Sequence, residues 1–91
     1  AETGIRLEAA PNTTVEGNTL NDNGTGILLT NEVTTPPTLT GNNLVGNTVA
    51  INNGSGSPVG GTDNYLGTTD GSTPPGSLVG SVNLTDNSTF P

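Results

Sequence analysis

The sequence predicts an all-β chain, a right-handed parallel β-helix (β-solenoid) of about three to four coils with 22–24 residues in each. Three observations lead there. The chain holds 14 Gly, 7 Pro, 13 Asn and 17 Thr, a turn-rich composition that fits pleated strands and disfavours helix interiors. Segments superpose on one another at offsets of 22 and 24 residues. Within each segment the apolar residues alternate, which is the period of a strand. Low hydrophobicity alone would also permit disorder, and the regular spacing of the apolar residues argues against it.

The elements follow in chain order. Ile5 and Leu7 flank Arg6, so the first strand turns its two apolar residues one way and the cation the other. Val15-Glu16-Gly17-Asn18-Thr19-Leu20 falls on Leu39-Thr40-Gly41-Asn42-Asn43-Leu44 at an offset of 24, and Asn23, Gly26 and Ile27 fall on Asn47, Ala50 and Ile51. Gly4-Ile5-Arg6-Leu7 falls on Gly26-Ile27-Leu28-Leu29 at an offset of 22. The longer stretch between Leu29 and Leu39 contains Pro36-Pro37 and is expected to bulge from one corner as a loop.

A third Asn-x-Leu, Asn64-Tyr65-Leu66, follows 22 residues after Asn42, and Val82-Asn83-Leu84 is read as a fourth. Phe90 is expected to fold over the last coil as a plug. The chain is therefore one domain, residues 1–91, with coils over 3–23, 24–47 and 48–70 and a final strand and tail over 71–91. Stacking the coils predicts core rows of Ile5, Ile27 and Ile51 and of Leu20, Leu44 and Leu66. It also predicts a ladder of Asn18, Asn42 and Asn64, because stacked amides bond along the axis and Asn tolerates the left-handed backbone of a corner.

These residues resemble the parallel β-helix repeat family, which includes carbohydrate-binding and sugar-hydrolase β-helices. The resemblance rests on Gly4-Ile5, on residues 15–27 and 42–53, and on Thr62-Asp63-Asn64-Tyr65-Leu66-Gly67, and it covers nearly the whole chain. Residues 59–90 are similar to the final coil of secreted bacterial and archaeal members, in which an Asn-aromatic-aromatic-Gly segment precedes a Gly/Ser-rich loop; here the second aromatic is Leu66. The repeat implies a fold and says little about activity.

Charge excludes whole classes of partner. The net charge is −7, with Arg6 the single cation, so nucleic acid and anionic membrane surfaces are not expected partners. No apolar run has the roughly 20 residues needed for a membrane-spanning helix, so membrane insertion is not expected. With no Cys there is no disulfide staple, and with no Met and an opening at Ala1 the chain reads as a mature product or an excised piece.

Chemistry is sparsely represented. Sugar-cleaving β-helices resemble one another in grouping Asp with His, Arg or Lys on a groove, where two carboxylates must face one bond. Here Asp63 and Asp70 could meet across one corner, but there is no His or Lys, and Asp22, Asp63, Asp70 and Asp86 each lie beside Asn or Gly, as turn residues do. No enzyme activity, cofactor or metal is expected. Calcium lacks a repeated ligand spacing, and copper, which one branch of the family is associated with, lacks His, Met and Cys ligands.

Five Asn-x-Ser/Thr sequons, at Asn12, Asn23, Asn53, Asn83 and Asn87, make these residues candidate N-glycosylation acceptors on an extracellular or cell-surface protein. The Thr pairs at 13–14, 34–35 and 68–69 do not form the regular Thr-x-Thr of an ice-binding face. So short a solenoid leaves open coil ends and shows no capping helix, so either it is cut from a longer helix or copies stack head to tail; the first expectation is a homo-oligomer or filament. The alternative is a carbohydrate-binding module or fragment of a larger polysaccharide-active or adhesive β-helix, with Tyr65 and nearby Asn and Asp as contacts.

Overall fold

The structure is a computed structural model that describes residues 2–9 and 13–91. Its strands are β1 (Thr3–Leu7), β2 (Thr14–Glu16), β3 (Thr25–Leu29), β4 (Thr38–Thr40), β5 (Val49–Asn53), β6 (Val59–Thr62), β7 (Leu78–Val79) and β8 (Val82–Thr85). The odd strands form one parallel sheet in the order β1-β3-β5-β7, and the even strands a second in the order β2-β4-β6-β8. Each circuit of the chain thus contributes one strand to each sheet, and the protein is a parallel β-solenoid. The third side of the coil is thinner than a full strand: single parallel bridges join Thr19 to Asn43 and Asn43 to Tyr65.

Register follows from alternation. In the first sheet Ile5 pairs with Ile27, Ile27 with Ile51 and Ile51 with Leu78, so the isoleucine row has Leu78 as a fourth member. The second sheet stacks Val15, Leu39, Gly61 and Leu84. On the third side Leu20 and Leu44 donate their amides to the carbonyls of Asn43 and Tyr65, which aligns Leu20, Leu44 and Leu66. Ile27, Leu29, Leu39 and Ile51 are wholly buried, whereas Ile5, Leu7 and Leu20 at one end and Leu78, Val82 and Leu84 at the other are only partly covered. Each complete burial is worth about 1.5–3 kcal/mol, so the middle coils hold most of the hydrophobic stabilisation.

The corners are made by a recurring backbone device. Gly17, Gly41, Asp63 and Asp86 follow the four strands of the second sheet, and all have positive φ, between 48° and 68°. This left-handed conformation turns the chain sharply, and Gly and Asp accept it at lower cost than other residues. After each comes an asparagine: Asn18, Asn42, Asn64 and Asn87.

Two expectations are corrected. Val82-Asn83-Leu84 is not the fourth corner, because Val82 and Leu84 alternate inward in β8 and pair with Val59 and Gly61; the corner requires a left-handed residue, and Asp86-Asn87 supplies it. Phe90 is 70% exposed and plugs nothing. The stretch between β3 and β4 is a loop, as expected, and part of it tucks inward, since Val33 is buried at 3% exposure and Pro37, four residues on, is buried as well.

Candidate functional site

The most organised polar feature is the corner ladder. Asn18 donates its backbone N–H and its Nδ2 to Asn42 Oδ1 at 3.1 and 3.2 Å. Asn42 donates in the same way to Asn64 Oδ1 at 3.1 and 2.9 Å. Asn42 Nδ2 also reaches the Val15 carbonyl, and Asn64 Nδ2 the Leu39 carbonyl, each on the preceding coil. Asn42 and Asn64 are buried, where an unsatisfied amide would be costly, and these bonds satisfy them. The bonds between the amides are polar: Asn18 and Asn42 each give protons to the Oδ1 of the next rung, while Asn42 and Asn64 also return an Nδ2 proton to a carbonyl of the coil before.

Asn87 occupies the next corner but leaves the pattern. Its Nδ2 donates to the Gly71 carbonyl at 3.1 Å, and its Oδ1 is buried with no hydrogen-bond partner. The cause lies in chain length: β5 and β7 pair at an offset of 27 residues, against 22 to 24 elsewhere in that sheet, so the longer segment between them packs against Asn87. The sequence signal for this rung was present in the repeated Thr-Asp-Asn at 62–64 and 85–87.

A second pair of stacked amides lies at the opposite corner. Asn47 Oδ1 accepts from the Asn23 backbone N–H at 2.8 Å, and Asn47 Nδ2 donates to the Leu20 and Leu44 carbonyls. Of the sequon asparagines, Asn23 is therefore half-buried in a corner with its Nδ2 on the Asn21 carbonyl. Asn53 points into the core, 5% exposed, with Nδ2 bound to the carbonyls of Ser57 and Ser81. Asn83 stands exposed on β8, and Asn12 lies outside the described residues.

The acidic residues are dispersed. Asp22, Asp63 and Asp86 hold left-handed turns. Asp70 Oδ1 accepts from Ser72 Oγ and from the Ser72 backbone N–H, and these two hydrogen bonds hold its carboxyl below its ordinary value of 3.8. No hydrogen bond joins Asp63 to Asp70. Arg6 pairs with Glu8 on the exposed surface. Among the described residues there is no cluster of three or more His, Cys, Asp or Glu, and the surface has no pocket. Tyr65 is half-buried and tied into the third side by its backbone.

The outward face of the second sheet is rich in hydroxyl groups. Its positions are Thr14 and Glu16, Thr38 and Thr40, Gly60 and Thr62, then Asn83 and Thr85. The alignment of Thr40, Thr62 and Thr85 across coils is a product of register, and no local Thr-x-Thr repeat announces it.

These features define a class, a parallel β-solenoid whose repeated polar geometry lies along its axis. Residues 1–73 match the family described as periplasmic copper-binding protein (NosD), and the chain belongs to that family. No curated protein and no solved structure matches it. A periplasmic family accords with a place in the cell envelope, outside the cytoplasm.

The copper in the family description does not fit the residues present. Copper selects imidazole, thiolate and thioether ligands, and the 91 residues include no His, Cys or Met. The amide oxygens of Asn42 and Asn64 are engaged along the ladder.

Proposed function

We propose that the chain is a structural β-solenoid element of the cell envelope that associates axially, one copy stacking head to tail on the next. The observation that carries this reading is the polarity of the corner ladder. Asn18 Oδ1 accepts no hydrogen bond among the described residues, while the two rungs below it each accept a backbone and a side-chain donor. Strands β1 and β2 likewise pair on one side only, and the apolar rows reach that end half-covered at Ile5, Leu7 and Leu20.

A further parallel coil would satisfy all three at once. Open strand edges recruit strands, and a heterologous contact of this kind does not close on itself. The dispersed carboxylates and the absence of a pocket among the described residues support a structural reading over a catalytic one.

Negative-stain microscopy and light scattering of the 91-residue chain over a wide concentration range test the proposal. Linear assemblies that lengthen with concentration are expected. Ile5→Lys, which places a charge at the end of the isoleucine row, should leave circular dichroism unchanged and abolish the assemblies. Discrete monomers at every concentration would overturn the reading.

A further inference from the structure

The five sequons look alike in sequence, and the fold separates them. Attachment of a glycan to asparagine uses Nδ2, so the nitrogen must be turned to solvent with a hydrogen to lose. Asn53 fails this test, because it is buried in the core with Nδ2 bound to two carbonyls, Ser57 and Ser81. At Asn87, Nδ2 is bound to Gly71 and Oδ1 is buried. Asn23 turns its Nδ2 onto Asn21 and beneath β1, where a Cβ on Gly4 would lie 3.2 Å from it.

Asn83 is different in each respect. Its side chain is exposed, and no hydrogen bond engages its amide. The neighbour in register is Gly60, so no side chain stands beside it on the next strand. Thr85, the hydroxyl residue of the sequon, is two positions along the same strand and shares the same outward face. The side chain stands on the lateral face of β8, the last strand of the second sheet.

We propose that Asn83 is the N-glycan acceptor of the folded protein among the four described sequons, with a lipid-linked glycosyl diphosphate as donor. Asn83 Nδ2 attacks the anomeric carbon, the bond from that carbon to the diphosphate oxygen breaks, and the lipid diphosphate leaves. One Nδ2 proton is lost to solvent, and nothing is oxidised or reduced.

Glycopeptide mass spectrometry of the full chain isolated from its source cells tests the assignment, alongside transfer in vitro by an oligosaccharyltransferase to folded and to urea-unfolded chain. The expected result is a glycan at Asn83 in the native protein and on the folded substrate. Thr85→Ala, an exposed change checked by circular dichroism, should remove it completely, and unfolding should open Asn23, Asn53 and Asn87. An unmodified Asn83 in the native protein, or modification of Asn23, Asn53 or Asn87 on the folded chain, would overturn the proposal.

Discussion

At the scale of the residue, stability concentrates in amides. Asn42 makes four side-chain hydrogen bonds, giving two and accepting two, at a buried site. Asn42→Ala strands the Val15 carbonyl and both Asn18 donors, and should cost about 3 kcal/mol in urea denaturation. Asn42→Asp sets a carboxylate against the acceptors Asn64 Oδ1 and Val15 O. Its pKa should rise, so the destabilisation should shrink as pH is lowered from about 7 to about 4. A second residue-scale prediction concerns Asp70. Ser72→Ala removes the hydroxyl that does most to lower its carboxyl, so carboxyl NMR titration should show the value rising toward 3.8. A depressed folded pKa contributes stability above the unfolded value that is lost as pH falls through the folded one. The gap between wild type and Ser72→Ala should accordingly be present at neutral pH and close under acid.

At the scale of the element, corners and strands use glycine for different reasons. Gly41 has a φ of 65° and open space where a Cβ would be, and the equivalent corners use Asp63 and Asp86. Gly41→Asn should therefore cost less than about 1 kcal/mol, whereas Gly41→Val, which cannot relax into that backbone, should cost about 2 kcal/mol or more by thermal denaturation. Gly26 lies in β3, where a Cβ would sit 2.7 Å from the Ala50 carbonyl oxygen and 3.0 Å from Asn47 Nδ2. Gly26→Ala must push two coils apart, and a loss of about 2 kcal/mol is expected in the same measurement. The strands themselves were legible from alternation, since Ile5/Leu7 and Ile27/Leu29 repeat a period of two. The third side was less so: it is only a bridge residue deep at Thr19, Asn43 and Tyr65, and nothing in the Asn-x-Leu pattern shows how short a paired segment will be.

At the scale of the whole molecule, each coil touches only the coils before and after it, as in other solenoids. Protection in the 91-residue chain should fall from the centre outward. Hydrogen exchange should be slowest in β3 to β6 and fastest in β1, β7 and β8, where the apolar rows are half-covered. Uniform protection across all strands would contradict this gradient. Family membership meets its sharpest test at this scale too. Titration of N-terminally acetylated chain with Cu(I) and Cu(II) against a competing chelator should give no stoichiometric binding and no shift in Tm, because the ligand types copper prefers are missing from the chain.

The sequence by itself determined the period, the inward alternation and the stacked groups, because a solenoid returns the same local problem every 22 to 24 residues and similar residues solve it. Ile5, Ile27 and Ile51 fall into line for that reason, as do Asn18, Asn42 and Asn64. The tertiary structure alone decided what each remaining asparagine does. Asn53, Asn83 and Asn87 share one motif, yet one faces the core, one faces solvent and one holds a neighbouring loop. Their fates depend on axial register, and register after β5 depends on how the longer segment before β7 is packed. That packing is a balance of contacts between residues far apart in the chain, and no local pattern carries it.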